Sequence, residues 1–289
     1  MKNVGPMSEA TPGIAQGIEG SIVDNGNGLK MHVLQAGHHE PNRPVILLLH
    51  GFPELAYSWR KVMLPLADAG YRVIAPDQRG YGRTSGSDNR FEADLTPFEL
   101  PNLIRDQLGL MAALGIEQIH SVVGHDFGSP VAAYCALVRP DVFKRVVLMS
   151  APFGGPPSFC SAHSEVPSVA SSIDHDALKL LTPSRLHYQW YYSLPNANDD
   201  MQHCEQGVHE FLRAYYHVKS ADWKENVPYP LGSWDAKTMA KLPTYYMMNA
   251  REDMAKTVAR FMPTKAVIDA CDWLPDDELA VYAEEYGFQ

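Results

Sequence analysis

Val122-Val123-Gly124-His125-Asp126-Phe127-Gly128 places a short β-branched run directly before a Gly-x-Asp-x-Gly turn. The residues that follow, Gly128 to Val138, are small and apolar. They predict a buried helix that stops before Pro140. Strand, tight turn and helix in this order form the geometry of a nucleophile elbow, Gly-x-Ser-x-Gly, with Asp126 in the serine's place. The flanking glycines suit such a turn, because a larger neighbour would collide with the adjoining strand or helix. The helix N-terminus behind the turn favours an anion there. A plainer reading makes Asp126 the N-cap of that helix.

Working outward, Val45 to Leu49 (VILLL) is a continuous apolar run of strand length between Pro44 and His50. Such a run suits a parallel strand buried on both faces. Ser21 to Val23 and Leu29 to Leu34, joined by the turn Asp24 to Gly28, predict a β-hairpin. Ala56 to Ala69 and Leu103 to Leu114 have helical periodicity and end at Gly70 and Gly115. Tyr71 to Pro76, Ile119 to Val123 and Val146 to Met149 predict further strands. Strands alternating with helices at this spacing indicate an α/β fold with a mostly parallel sheet and helices on both faces. The pattern changes at the breaker cluster Pro152 to Pro157. The expected organisation is a flexible N-terminal arm over 1–20, an α/β core over 21–152 and a mostly helical module over 153–289. No convincing buried strand is expected from about residue 170 onward.

The chain has 289 residues, 45% of them apolar and 20% charged, which suits a globular protein with a sizeable core. Its formal charge of −10, without a basic run, argues against nucleic-acid or anionic-membrane partners. No apolar run approaches the ~20 residues of a membrane span, and MKNVGPMSEATPG lacks the apolar stretch of a signal peptide. Cys135, Cys160, Cys204 and Cys271 are widely spaced, which favours reduced thiols in a cytoplasmic protein over a disulfide or zinc framework.

The aspartate selects the chemistry. A carboxylate attacking an acyl carbon would give an anhydride. Attack on an sp³ carbon bearing a leaving group or a strained ring gives an ester that water can then cleave. His50-Gly51-Phe52-Pro53 follows the VILLL run. In an open α/β sheet, ligands sit beyond the carboxyl ends of the strands, so this turn and Asp126 are expected to converge on one crevice. The backbone N–H groups of Phe52 and Phe127 are the expected oxyanion donors for the ester-hydrolysis intermediate.

Four segments in order, HGFPE (His50 to Glu54), DQRGYGRTSG (Asp77 to Gly86), GHDFG (Gly124 to Gly128) and RPDVF (Arg139 to Phe143), resemble the α/β-hydrolase-fold epoxide hydrolases. The resemblance extends over about residues 20 to 289. It implies an α/β-hydrolase core with a helical cap domain, a small apolar epoxide as substrate and no cofactor or metal. Residues 77 to 86, Arg79 and Gly80 among them, are read as bracing a loop. The family uses cap tyrosines to protonate the epoxide oxygen. By position in His187-Tyr188-Gln189-Trp190-Tyr191-Tyr192, the resemblance assigns that role to Tyr188, with Tyr191 as rival. Tyr191 and Tyr192 are otherwise read as cap packing.

The resemblance also carries a departure. The family's water-activating histidine, its orienting acid, a second ring-opening tyrosine and the last two core strands have no counterpart before Gln289. The chain is therefore expected to be truncated and its turnover impaired. Among its twelve histidines, His50 belongs to the oxyanion turn and His125 is expected to point along the elbow. His187, His203, His209 and His217 fall in the cap. The alternatives are a haloalkane or haloacid dehalogenase, which shares the aspartate nucleophile, and a non-catalytic ligand-binding fragment. The tyrosine and the apolar faces of Phe52 and Phe127 favour an oxygen leaving group over a halide.

Overall fold

A computed structural model of the protein describes residues 7–9, 11–155 and 173–288, so Cys160 lies outside the described residues. The chain divides into two compact units. One runs to Gly155 and resumes at Ala280; the other ends at Leu279.

The first unit carries β1 (Met7–Glu9), β2 (Ile18–Asp24), β3 (Lys30–Ala36), β4 (Val45–Leu49), β5 (Arg72–Pro76), β6 (Ser121–His125) and β7 (Val146–Met149). Its helices are α1 (Arg60–Asp68), α2 (Leu100–Ala113) and α3 (Gly128–Val138). The sheet order is β1-β2-β3-β5-β4-β6-β7. Strands β1, β2, β3 and β5 pair antiparallel; β5, β4, β6 and β7 pair parallel.

Every residue of β4 is buried. Alternation of side chains explains why an unbroken apolar run is required. Val45, Leu47 and Leu49 join a core with Leu103, Leu110, Val131 and Ala132 from α2 and α3. Ile46 and Leu48 join the opposite core with Trp59, Met63 and Ala67. The register pairs Leu49 with Gly124, so His50 and His125 lie at neighbouring strand ends. This pairing brings the turn after β4 beside the turn after β6. Among the described strands β7 is last in the sheet order, and its Val146, Val147 and Met149 are exposed.

In the second unit the described elements are α4 (His175–Lys179), β8 (Arg185–His187), α5 (Tyr188–Tyr192), α6 (Ala197–Gln202), α7 (Gly207–Lys219), α8 (Ala236–Met239), β9 (Met247–Asn249), α9 (Met254–Ala259) and α10 (Lys265–Asp269). The helix α11 (Asp276–Glu285) follows, with a 3-10 turn over Tyr286–Phe288 after it.

Three sequence expectations require correction. Residues 7–9 are not arm but strand, because Met7 to Glu9 pair with the outer edge of β2. The region beyond residue 170 does contain a buried strand: Met247 and Met248 of β9 are fully buried and pair with β8. The stretch from Ala280 belongs with the first unit, not with the helical module. Its side chains explain why. The Tyr282 hydroxyl donates to Ser58 Oγ at 2.8 Å, and Arg83 donates from Nε and a terminal nitrogen to the buried Glu285 carboxylate at 2.8 and 2.6 Å.

Candidate active site

Asp126 sits where β6 turns into α3, with φ at 51°, in the left-handed region that costs a non-glycine residue energy. The N-cap position of α3 belongs to Phe127, with no side-chain cap bond, so Asp126 is not spent on capping. Its carboxylate instead accepts from the Phe52 N–H, at Oδ1 and 3.2 Å. The backbone is held from three sides. The Asp126 N–H donates to Met149 O at 3.1 Å, the Ser129 N–H donates to Asp126 O at 3.0 Å, and Ser129 Oγ donates to Gly124 O at 2.7 Å.

Close approach explains two glycines. A Cβ on Gly128 would run into the carbonyls of Leu49 and His50. One on Gly51 would meet Asp126 Oδ1, Asp126 Cβ and Phe127 N. The three residues that sequence reasoning grouped, Phe52, Asp126 and Phe127, are therefore within one turn–turn junction. The fourth, Tyr188, lies in the second unit.

Buried groups surround the junction. His50 is fully buried: its Nε2 accepts from the Gln78 N–H at 3.0 Å and its Nδ1–H faces Gly51 O at 2.9 Å. Tyr81 packs edge-on against His50, with ring centres 4.9 Å apart. Burial, reinforced by the negative charge of Asp126, holds its phenol well above the ordinary range. Beside it a cleft of about 370 Å³ is lined by Tyr81, Phe98, Leu103 and Phe127. The loop that carries Tyr81 is braced by Arg79, whose guanidinium donates to both oxygens of the buried Asp106 at 2.8 and 2.7 Å.

In the second unit Tyr188 opens α5, and its N–H donates to Tyr246 O at 2.9 Å. Its ring lies 5.2 Å from that of Tyr246 and 5.7 Å from that of Tyr192. Tyr191 is buried, with its hydroxyl 3.4 Å from Asp200. The hydroxyls of Tyr192 and Tyr215 are 2.8 Å apart. Burial drives the adjacent His187 down to about 4, with His175 adding to the shift.

Residues 44–181 match the sequence pattern of the alpha/beta hydrolase fold. Epoxide hydrolase 3 of Siraitia grosvenorii is 46% identical over 132 residues, 46% of this chain and 39% of that protein. Epoxide hydrolase B of Mycobacterium tuberculosis is 38% identical over 170 residues, 59% of this chain and 46% of that protein. An epoxide hydrolase from an endophytic Streptomyces superposes with a TM-score of 0.68 at 29% identity, covering 94% of this chain and 69% of that one. The chain has the α/β-hydrolase fold and is similar to epoxide hydrolases. Its aligned stretch spans less than half the length of these two sequence relatives.

Sequence reasoning passed over two parts of this junction. Glu54 was quoted within HGFPE without a role. Its carboxylate lies 2.6 Å from His125 Nδ1, while His125 Nε2 lies 2.9 Å from Ser150 Oγ. Ser150 itself has φ at 67°. The signal was available only as adjacency: a carboxylate two residues after Phe52 and a histidine next to Asp126. Tyr81 was missed because the bracing reading of residues 77 to 86 stopped at Arg79 and Gly80.

For a metal, the described residues offer Glu19, His38 and His39, whose ligand atoms lie within 4.8 Å of one another. Both imidazoles already meet the Glu19 carboxylate, at 3.1 and 2.8 Å, and Glu19 and His39 are exposed. Hydrogen bonding accounts for this cluster, which lies on the outer part of the sheet. The described cysteines, Cys135, Cys204 and Cys271, are free thiols. No described helix is long and apolar enough to cross a membrane.

One fully buried and three partly buried histidines set a pH dependence. Burial lowers His38, His50, His187 and His217 below the ordinary 6.5. Below about pH 6.5 the unfolded chain takes up protons at these rings that the folded chain refuses. Stability is therefore full above that pH and is lost as pH falls. At Asp77 burial pushes the carboxyl up, but His32, the His50 charge and the Ala56 N–H together bring it below the ordinary value, and such lowered carboxylates act only below about 3.8. The melting temperature is expected to fall by several degrees between pH 7.5 and 5.5. A flat or rising profile by calorimetry contradicts this assignment.

Proposed function

We propose that this chain opens epoxides through an Asp126 ester. The observation that carries the reading is the Asp126 carboxylate, held in left-handed backbone at a strand–helix elbow and addressed by the Phe52 N–H. One Asp126 oxygen attacks a ring carbon. The C–O bond breaks, and its electron pair takes a proton from the Tyr188 phenol, which is a weak enough acid to stay protonated at rest. The product is a hydroxyalkyl ester on Asp126. Water cleaves that ester to a vicinal diol, with the Phe52 and Phe127 N–H groups stabilising the tetrahedral oxyanion. The mechanism uses no metal or cofactor.

Ring opening is the half of the reaction to which named residues are assigned. Ester hydrolysis needs a base, and the two histidines beside Asp126 are committed elsewhere: His50 to Gln78 and Gly51, His125 to Glu54 and Ser150. Under this reading the ester accumulates and turnover is slow. The apolar lining at Phe98, Leu103 and Phe127 supports an apolar epoxide.

A haloalkane would need donors that hold a departing halide, and the apolar rings of Phe52 and Phe127 supply none. Parallel incubation with an aryl epoxide and an alkyl bromide of similar size separates the readings. Covalent capture or diol from the epoxide, without bromide release, is expected. Bromide release with an inert epoxide would overturn the proposal in favour of a dehalogenase. Inertness to both would leave a binding fragment of the fold.

A further inference from the structure

Lys219 is the last residue of α7, and four tyrosine rings surround its ammonium. Nζ lies 4.6 Å from the ring centre of Tyr215, 5.3 Å from Tyr246, 5.6 Å from Tyr245 and 5.8 Å from Tyr188. We propose that Lys219 is a positioning residue for the Tyr188 acid. Its ammonium orders the tyrosine cluster and offsets the negative charge left on the Tyr188 oxygen when the proton passes to the epoxide. The inference rests on the reading of Tyr188 as proton donor.

The argument is electrostatic and geometric. A cation within about 6 Å of an aromatic centre is attracted to the ring, more strongly as water is excluded. Tyr215 is fully buried and Lys219 half-buried. A helix C-terminus adds a second attraction for the cation. The cluster is itself continuous. Tyr188 touches Tyr246 and Tyr192, Tyr245 touches Tyr246 at 4.5 Å, and Tyr192 meets Tyr215 through paired hydroxyls. Pulling the rings onto one ammonium therefore fixes the orientation of Tyr188. During ring opening Tyr188 becomes a phenolate and later regains a proton from solvent. The neutral form gains only ring–cation attraction, whereas the phenolate gains a full opposite charge. The cation thus favours the transition state over the resting state. Among the described contacts Tyr192, Tyr246 and His187 also face Tyr188, and burial, with the nearby His175, holds His187 neutral near pH 7.

The test is single-turnover capture of an aryl epoxide as a function of pH. Lys219→Met is expected to slow capture about tenfold. It should also move the alkaline limb, which reports loss of the Tyr188 proton, to higher pH, and Lys219→Arg should restore both. In a Tyr188→Phe background Lys219→Met should have no further effect. Equal slowing in that background, or an unmoved alkaline limb, would overturn the role of Lys219 while leaving Tyr188 as the acid. Undiminished capture by Tyr188→Phe alone would overturn the acid assignment and the inference with it.

Discussion

Asp126→Asn is expected to slow covalent capture of a reactive epoxide by about 10⁴-fold or more, in line with removal of a nucleophile. The amide keeps the shape of the carboxylate and an oxygen able to accept from the Phe52 N–H. It lacks the charge that attacks carbon. Asparagine also tolerates a φ of 51° better than most residues, so the elbow should survive. The melting temperature of the variant is therefore expected to stay within a few degrees of the parent. A variant that folds and captures epoxide at the parent rate would remove Asp126 from the mechanism. The contrast with Asp126→Ala is informative, because alanine pays more for left-handed backbone and should lose stability as well as capture.

Asp106→Ala should produce the largest loss of stability. Asp106 is buried and receives two bonds from the buried Arg79, with further donors from Asn25 at 3.2 Å and Asn27 at 2.7 Å. Removing one partner of a buried ion pair leaves an uncompensated charge, typically costing about 3–5 kcal/mol. For a domain of this size that corresponds to a fall in melting temperature of roughly 6–20 °C. Replacing both partners by apolar residues, Arg79→Met with Asp106→Leu, should recover much of the loss. Calorimetry showing the single variant within two degrees of the parent would contradict this. Arg79 also braces the loop that carries Tyr81 to the cleft, so the recovered double variant asks whether the ion pair positions the site or only stabilises it.

The elements that position the site were legible because they are long and chemically extreme. VILLL, unbroken and strand-length between Pro44 and His50, suited a strand buried on both faces, and GHDFG before a run of small residues implied a strained elbow. What escaped was set by distant contacts or by brevity. β8 and β9 are three residues each, too short for periodicity to register. β1 exists because the outer edge of β2 offers unpaired backbone groups, which residues 7–9 alone do not reveal. The Glu54–His125 contact joins residues 71 positions apart, and Arg83–Glu285 joins residues 202 apart. Neither follows from local spacing. The same holds for the Lys219 cluster, whose tyrosines come from α5, α7 and the segment before β9.

The central claim is that the Asp126 side chain forms a bond to carbon. Intact-mass measurement after incubation with an aryl epoxide, followed by peptide mapping, tests it directly. One added equivalent of the epoxide mass is expected on the peptide that contains Asp126, and hydroxylamine should release it as an ester. An adduct confined to a cysteine or histidine peptide and resistant to hydroxylamine, or no adduct together with no diol, would contradict the account.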